Sequence, residues 1–138
     1  MSAVEVEALG KRFEKTVALD KVSFSVEKGE LFGFIGPDGA GKTTLFRILV
    51  SLLKPDAGTA RVLGLDPVRE YRALRQRVGY MAGRFSLYPD LSVEENLTFF
   101  ASVFGTTIER EYAQIAPIYD QLKPFKNRRA GARNPIRS

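Results

Sequence analysis

The chain of 138 residues is 44% hydrophobic and 27% charged, and its formal net charge is +5. These values are typical of one globular domain with a hydrophobic core, and no apolar run is long enough to cross a bilayer. The absence of cysteine excludes disulfides and thiolate metal sites, and the absence of histidine removes the commonest acid–base catalyst. Because the start of the chain lacks a basic and apolar leader, we expect a cytosolic location.

The first part of the chain predicts antiparallel strands. Residues 4–9 alternate apolar and polar side chains, as in a half-buried strand. A turn at residues 10–12 leads to Phe13, and residues 16–19 and 22–26 predict further extended segments. Most small kinases and GTPases carry their phosphate-binding loop on the first strand, so strands before such a loop favour another class of protein.

A glycine-rich loop follows, with the sequence Gly-Pro-Asp-Gly-Ala-Gly-Lys-Thr-Thr. It fits the Walker A pattern G-x-x-x-x-G-K-[ST], in which backbone N–H groups surround a phosphate and the lysine adds a positive charge. The Thr43 hydroxyl is expected to bind Mg²⁺ carried by the nucleotide. A turn that binds nothing is the alternative interpretation. We expect phosphate binding by Gly36, Pro37, Asp38, Gly39, Ala40, Gly41, Lys42, Thr43 and Thr44.

The segments on either side of the loop fit the motif. Residues 31–35 are almost wholly apolar, which predicts a strand buried on both faces of a parallel sheet. Residues 44–53 predict a largely buried helix, whose N-terminus would add unpaired N–H groups to the phosphate site.

Further elements alternate after this helix. Residues 59–63 predict a strand, residues 68–76 a helix and residues 78–81 a short strand. The predicted helix and the residue after it carry a basic cluster, which we interpret as a solvated face, with contact to phosphate groups as the alternative. This cluster consists of Arg69, Arg72, Arg75 and Arg77.

The last third of the chain predicts two helices and a basic tail. Ser92 and Glu95 form a capping-box pattern that begins a helix ending near Gly105, and residues 107–122 predict a second helix. Residues 123–138 show no periodicity and are expected to be disordered. Six basic residues and one acid after residue 113 account for the net charge. Aromatic residues do not interleave with them, so no nucleic-acid partner is expected.

Together these motifs resemble the ATP-binding subunit of ABC transporters, from the first strand to about Ala132. The resemblance implies a P-loop α/β fold. Its parts would be a mixed sheet with an N-terminal antiparallel part, an incomplete parallel core and the start of a helical subdomain. Residues 1–132 would be a partial nucleotide-binding domain, with the core in residues 1–81 and the helical part in residues 82–122.

The resemblance also implies a cofactor site and partners. ATP and Mg²⁺ would bind at the loop, with the Phe13 ring stacked on adenine and Val17 packed nearby. A membrane-spanning subunit would dock near Phe85, Leu87 and Tyr88, which places the protein on the inner face of the membrane. Packing of these side chains under the following helix is the alternative. In the family, a second ATP-binding subunit completes the site.

The chain also departs from the family pattern. Gly83 stands where the family has a glutamine that contacts Mg²⁺ and the attacking water. The signature Leu-Ser-Gly-Gly, the acidic strand motif and the switch histidine do not occur before Ser138. No catalytic residue is therefore assigned, and we expect a truncated ATPase that binds ATP without hydrolysing it. A non-hydrolysing regulatory remnant and another P-loop enzyme, such as a small-molecule kinase, are the alternatives.

Overall fold

A computed structural model of the protein describes residues 1–83 and 87–131. The chain divides into two compact units, Met1–Met81 and Ala82–Ser138. Within the described residues, none of the helices combines the length and the apolar character needed to span a membrane.

The first unit contains a three-stranded sheet and two helices. The strands are β1 (Ser2–Phe13), β2 (Thr16–Glu27) and β3 (Ala57–Val62), arranged in the order β2-β1-β3 with antiparallel pairing throughout. The helices are α1 (Lys42–Leu49) and α2 (Tyr71–Arg75). The predicted α/β class with an N-terminal antiparallel sheet is confirmed.

The hairpin of β1 and β2 is more continuous than its sequence suggests. The turn predicted at residues 10–12 is wrong, because β1 continues to Phe13 and the chain reverses at Glu14 and Lys15. The pairing of β1 with β2 shifts register between Leu9 and Arg12, and the strand continues through these irregularities.

The core of the first unit lies between the sheet and α1. One face of the sheet contributes Val6, Leu9 and Val62, while α1 contributes Leu45 and Ile48. Leu9 and Ile48 are 0% and 1% exposed. This apolar contact fixes the start of α1, and thus the end of the glycine-rich loop, against the hairpin.

Two predicted strands do not form among the described residues. Residues 31–35 and 78–81 have no strand assignment, and the side chains of Leu31 and Ile35 are fully exposed at 101% and 102%. A strand requires a hydrogen-bonded neighbour, and the described sheet ends at β2 on one side and at β3 on the other. The prediction of a buried parallel strand at residues 31–35 is therefore wrong for this structure.

Both predicted helices of the first unit are shorter than expected. Helix α1 ends at Leu49, and Ser51 adopts a left-handed conformation with φ 67°. Before α2, the Asp66 carboxylate accepts hydrogen bonds from the backbone N–H groups of Val68 and Arg69 at 2.8 and 3.2 Å. This local turn competes with helix at residues 66–70, so α2 begins only at Tyr71.

The second unit contains α3 (Val93–Val103), α4 (Ile108–Leu122) and a 3-10 turn (Lys123–Phe125). The predicted capping box is confirmed. The Ser92 hydroxyl accepts from the Glu95 N–H at 3.1 Å, and the Ser92 N–H donates to the Glu95 carboxylate at 2.7 Å. Helix α4 continues through Pro117.

The expectation of a disordered tail is wrong for its first part. Beyond the 3-10 turn, the chain returns to the start of α3, where the N–H of Val93 donates to the carbonyl of Arg128 at 2.9 Å. The N–H of Ala130 likewise donates to the carbonyl of Leu91 at 2.9 Å. These hydrogen bonds pair backbone groups that lie far apart in the sequence. A local periodicity therefore could not predict them. Residues 132–138 lie outside the described part of the chain.

Candidate functional site

The glycine-rich loop follows residues 30–35, which have no regular secondary structure, and leads into the first turn of α1. The N–H of Ala40 donates to the carbonyl of Pro37 at 3.2 Å, which closes a tight turn. Gly41 is the N-cap of α1, in a left-handed conformation, and the helix begins at Lys42. The first N–H groups of a helix have no partner within the helix, so this end of the loop offers donors to an anion.

Gly41 meets two conditions that a larger residue would not. Its φ of 96° lies in the left-handed region, which a side chain disfavours. A Cβ at this position would also overlap the backbone oxygen of Ala18 and lie 3.0 Å from a methyl group of Leu19. The loop therefore packs directly on the backbone of β2.

The ammonium group of Lys42 is held within the loop. It donates a hydrogen bond to the carbonyl of Gly36 and another to the carbonyl of Pro37 at 3.2 Å. Two neutral acceptors position the ammonium while leaving its charge uncompensated. The cation is thus available for a phosphate placed at the mouth of the loop.

A surface pocket of about 210 Å³ joins the loop to the hairpin. The hairpin contributes Phe13, Thr16 and Ala18. The loop and the start of α1 contribute Asp38, Gly39, Ala40, Gly41, Lys42, Thr43 and Thr44. The structure therefore brings Phe13 next to a loop that lies more than twenty residues further along the chain.

The Phe13 side chain forms one wall of this pocket. It is 45% exposed, and the Lys11 ammonium lies 5.5 Å from its ring centroid. A partly exposed aromatic face beside a cluster of N–H donors can stack on a planar base while the donors bind phosphate. These residues fit a nucleotide, since a flat apolar wall, the Lys42 ammonium and the N-terminus of α1 border the same pocket.

Three predicted site residues do not line the pocket. Val17 pairs with Arg12 in the hairpin, and Gly36 and Pro37 contribute carbonyl groups to Lys42 instead. Thr16 and Ala18 were missed by the sequence analysis. Strand alternation was the available signal, because it places these two residues on the opposite side of β2 from Val17.

The metal prediction depends on a single protein ligand. Thr43 lines the pocket and carries the hydroxyl of the motif. Within the described residues, no group of three or more acidic side chains is arranged to hold a metal ion. The arrangement fits a cation that the phosphates of a nucleotide bring with them.

The region predicted to bind a membrane subunit is described in part. Phe85 lies outside the described residues. Leu87 and Tyr88 are 40% and 49% exposed, and the Tyr88 ring contacts those of Phe99 and Phe100 at centroid distances of 5.2 and 6.3 Å. Tyr88 therefore packs partly on α3. At Gly83, a Cβ would meet no atom within 4 Å.

Sequence comparisons relate the chain to one family. A family model described as ABC transporter matches residues 19–135. The chain is 47% identical over 104 residues to the probable multidrug ABC transporter ATP-binding protein YbhF of Escherichia coli (strain K12), a match covering 75% of this chain and 18% of that protein. It is 37% identical over 123 residues to Nod factor export ATP-binding protein I of Burkholderia pseudomallei (strain 1710b), covering 89% of this chain and 40% of that protein. The chain thus spans less than half the length of these relatives.

Solved structures support the same fold. The structure of an ATP binding subunit of an ABC transporter matches 96% of this chain and 56% of that chain with a TM-score of 0.82 and 24% identity. A nucleotide-free ATP-binding cassette from an ABC transporter matches 97% of this chain and 60% of that chain with a TM-score of 0.70 and 26% identity. Because the family model covers most of the chain and the curated relatives are ATP-binding proteins, this chain belongs to the ABC transporter family, among its ATP-binding proteins.

Proposed function

We propose that this chain binds ATP-Mg²⁺ through its Walker A loop, as part of a nucleotide-binding domain that couples ATP to transport across a membrane. One observation carries the proposal. The pocket beside the loop combines a partly exposed aromatic ring, Phe13, with the cationic Lys42 and the N-terminus of α1. A base and a polyphosphate would each find a complementary surface there.

Each proposed role follows from the chemistry of the residue. Lys42 and the backbone N–H groups of residues 39–44 would neutralise the phosphates, and Thr43 would hold Mg²⁺ with them. Phe13 would stack on adenine, with Thr16 and Ala18 as the adjoining wall. Val17 supports this wall from the other side of β2 in our proposal.

We propose that this 138-residue chain does not hydrolyse ATP. Phosphoryl transfer to water requires charge neutralisation and an oriented nucleophile. The loop would supply the first, and the groups that supply the second in the family, the acidic strand motif and the switch histidine, do not occur in this sequence. The alternative of a non-hydrolysing regulatory fragment predicts the same absence of turnover. The alternative of a small-molecule kinase is disfavoured, because the chain belongs to a different family.

The partners and the location are proposed from the family. A membrane-spanning subunit would contact the segment around Phe85, Leu87 and Tyr88, and a second ATP-binding subunit would close the nucleotide site. The protein would then lie on the inner face of the membrane. The partly exposed side chains of Leu87 and Tyr88 support the first of these contacts. We propose residues 1–132 as the partial nucleotide-binding domain.

Equilibrium titration with ATP and Mg²⁺ tests the binding proposal. Lys42→Ala should weaken binding by roughly tenfold or more, since one charge-assisted hydrogen bond contributes about 1.5–3 kcal/mol. Lys21→Ala removes a cation from another part of the hairpin and should leave the affinity unchanged. Equal affinity of the wild-type chain and the Lys42→Ala variant would contradict the proposal.

A comparison of two ligands, ATP and inorganic tripolyphosphate, tests whether the Phe13 ring binds the base. Phe13→Leu should weaken ATP binding while leaving the binding of inorganic tripolyphosphate unchanged, because only ATP carries a base. Phe13→Tyr keeps the stacking ring and should retain the affinity for ATP. The same preparations are then assayed for release of inorganic phosphate. Turnover that disappears in the Lys42→Ala variant would show that the chain is a hydrolase.

A further inference from the structure

A second pocket of the first unit, of about 230 Å³, lies between the end of α1 and α2. Its wall contains two basic side chains, Lys54 and Arg75, and one aromatic side chain, Tyr71. None of the described residues that line it is acidic. The pocket includes part of the basic cluster for which nucleotide binding at the Walker A loop provides no role.

The Arg75 guanidinium is fixed in one orientation. Its Nε donates to the Ser51 hydroxyl at 2.8 Å, and one of its terminal nitrogens donates to the Ser51 carbonyl at 3.0 Å. The guanidinium also lies 5.1 Å from the centroid of the Tyr71 ring. Two of its five N–H groups are used in these bonds, so the remaining donors are held in place for an anion.

The nearby charges leave the pocket positive. Within the described part of the chain, Lys54 forms no ion pair. The two acids of the adjoining turn, Asp66 and Glu70, do not line the pocket, and their carboxylates accept hydrogen bonds from backbone N–H groups. The Arg72 guanidinium, 5.7 Å from the Tyr71 centroid, adds a further positive charge beside the same ring.

The rest of the pocket is apolar. Leu53, Pro67 and Val68 also line it, and Val68 is 37% exposed. A bare inorganic anion would leave this surface uncovered. A ligand with one anionic head and a small organic body would match both halves.

We propose that this pocket binds a phosphate ester. The phosphate contacts Lys54 and the free N–H groups of Arg75, and the organic group packs on Leu53, Pro67 and Val68. Phosphate suits the fixed guanidinium because its oxygens accept two parallel hydrogen bonds. The ester is either a soluble metabolite or the headgroup of an anionic phospholipid, and the two sources share this chemistry.

Nuclear magnetic resonance of the ¹⁵N-labelled full chain, titrated with phenyl phosphate, tests the proposal. We expect saturable shifts of the backbone amides of Ser51, Lys54, Tyr71 and Arg75, separate from those of the Walker A loop. The double variant Lys54→Gln, Arg75→Gln should weaken this binding by about tenfold or more. The double variant Lys21→Gln, Arg110→Gln removes the same charge elsewhere and should bind like the wild type.

Two additional measurements complete the test. Lys54→Gln alone changes an exposed side chain that forms no ion pair among the described residues, so it should weaken binding severalfold with an unchanged melting temperature. This variant keeps the test decisive if Arg75→Gln unfolds the chain. Shifts confined to the Walker A loop, or an unchanged affinity of the Lys54→Gln variant, would overturn the proposal.

Co-sedimentation with vesicles identifies the source of the phosphate. Binding to vesicles of phosphatidylcholine with phosphatidylglycerol, but not to pure phosphatidylcholine, together with its loss in the Lys54→Gln variant, supports a lipid headgroup. Binding of phenyl phosphate without vesicle binding supports a soluble ester.

Discussion

Gly41 and Lys42 are neighbours in the sequence, and the structure uses them in different ways. Gly41 allows the loop to approach the backbone of β2 so closely that a Cβ would overlap the Ala18 oxygen. Lys42 places its ammonium against two loop carbonyls. Gly41 therefore determines the position of the loop, while Lys42 supplies its positive charge.

Substitution of Gly41 should cost more than substitution of another loop glycine. Gly41→Ala combines a left-handed φ with an overlap against Ala18, so we expect a loss of about 2 kcal/mol or more in the free energy of unfolding. Gly39→Ala has a φ of 83° with no atom near the added Cβ, and we expect about 1 kcal/mol. Urea unfolding of both variants checks the difference. Equal losses would indicate that conformation alone matters at Gly41.

The elements of the second unit depend on one buried polar side chain. Asn96 on α3 is 1% exposed and binds the backbone of the preceding segment. Its carbonyl oxygen accepts from the Tyr88 N–H at 2.9 Å, and its amide donates to the Tyr88 carbonyl at 3.0 Å. The capping box at Ser92 and Glu95 lies on the same turn, so the start of the helix is fixed twice.

Removal of the Asn96 amide should destabilise the second unit. Asn96→Ala leaves the two backbone groups of Tyr88 without partners, which we expect to cost about 2–3 kcal/mol. Asn127→Ala, at an exposed position, should change the free energy of unfolding by no more than about 0.5 kcal/mol. Amide hydrogen exchange of residues 87–103 measures the effect within the unit itself. Unchanged protection in Asn96→Ala would contradict this role.

The contact of the Asp56 carboxylate with β1 predicts that the stability of the fold depends on pH. The Asp56 carboxylate accepts from the Arg12 N–H at 2.8 Å and from the Lys11 ammonium at 3.2 Å, which links β1 to the start of β3. The Arg12 hydrogen bond, followed by that of Lys11, lowers the pKa of Asp56 below its ordinary value. A lowered pKa stabilises the fold fully above the ordinary aspartate value of about 4, and this contribution is lost as the pH falls through the lowered pKa.

Thermal melts between neutral and acid pH check this expectation. The wild-type melting temperature should fall as the pH drops below about 4, and Asp56→Asn should reduce this fall. Asp20→Asn serves as the control, because in the described residues the Asp20 carboxylate accepts no hydrogen bond. An identical acid dependence in the wild type and Asp56→Asn would count against the role of Asp56.

At the scale of the whole molecule, the apolar segment before the Walker A loop exposes large side chains to solvent. Leu31 and Ile35 are fully exposed, whereas Phe34 packs against Phe24 and Phe46 at centroid distances of 4.9 and 5.6 Å. The Phe34 ring anchors the segment, and within the described residues no backbone hydrogen bond involves residues 31–35. Exposed, apolar, unpaired backbone favours association with another strand.

Charges placed on this segment should reduce self-association. The double variant Leu31→Lys, Ile35→Lys should remain monomeric at concentrations where the wild-type chain forms larger species, measured by light scattering. The control Val103→Lys, Ile118→Lys exchanges side chains that are 62% and 70% exposed on helices, and it should associate like the wild type. Equal association of all three proteins would exclude the segment as the cause.

The sequence alone determined the features that short-range spacing encodes. The Walker A pattern around Lys42 and the capping box of Ser92 and Glu95 were both predicted from residues close together in the chain, whereas the α/β class came from the resemblance to a family. Both motifs depend on backbone conformations and hydrogen bonds that span a few residues, so the local sequence is sufficient.

Only the tertiary structure decided which distant residues share a site. The pairing of β1 with β2 put Thr16 and Ala18, rather than Val17, beside the loop. The Arg75 side chain reached Ser51 across 24 residues, and the segment at residues 31–35 remained unpaired despite its strand-like sequence. Strand pairing and side-chain packing depend on partners far along the chain, and no local pattern specifies whether such a partner is present.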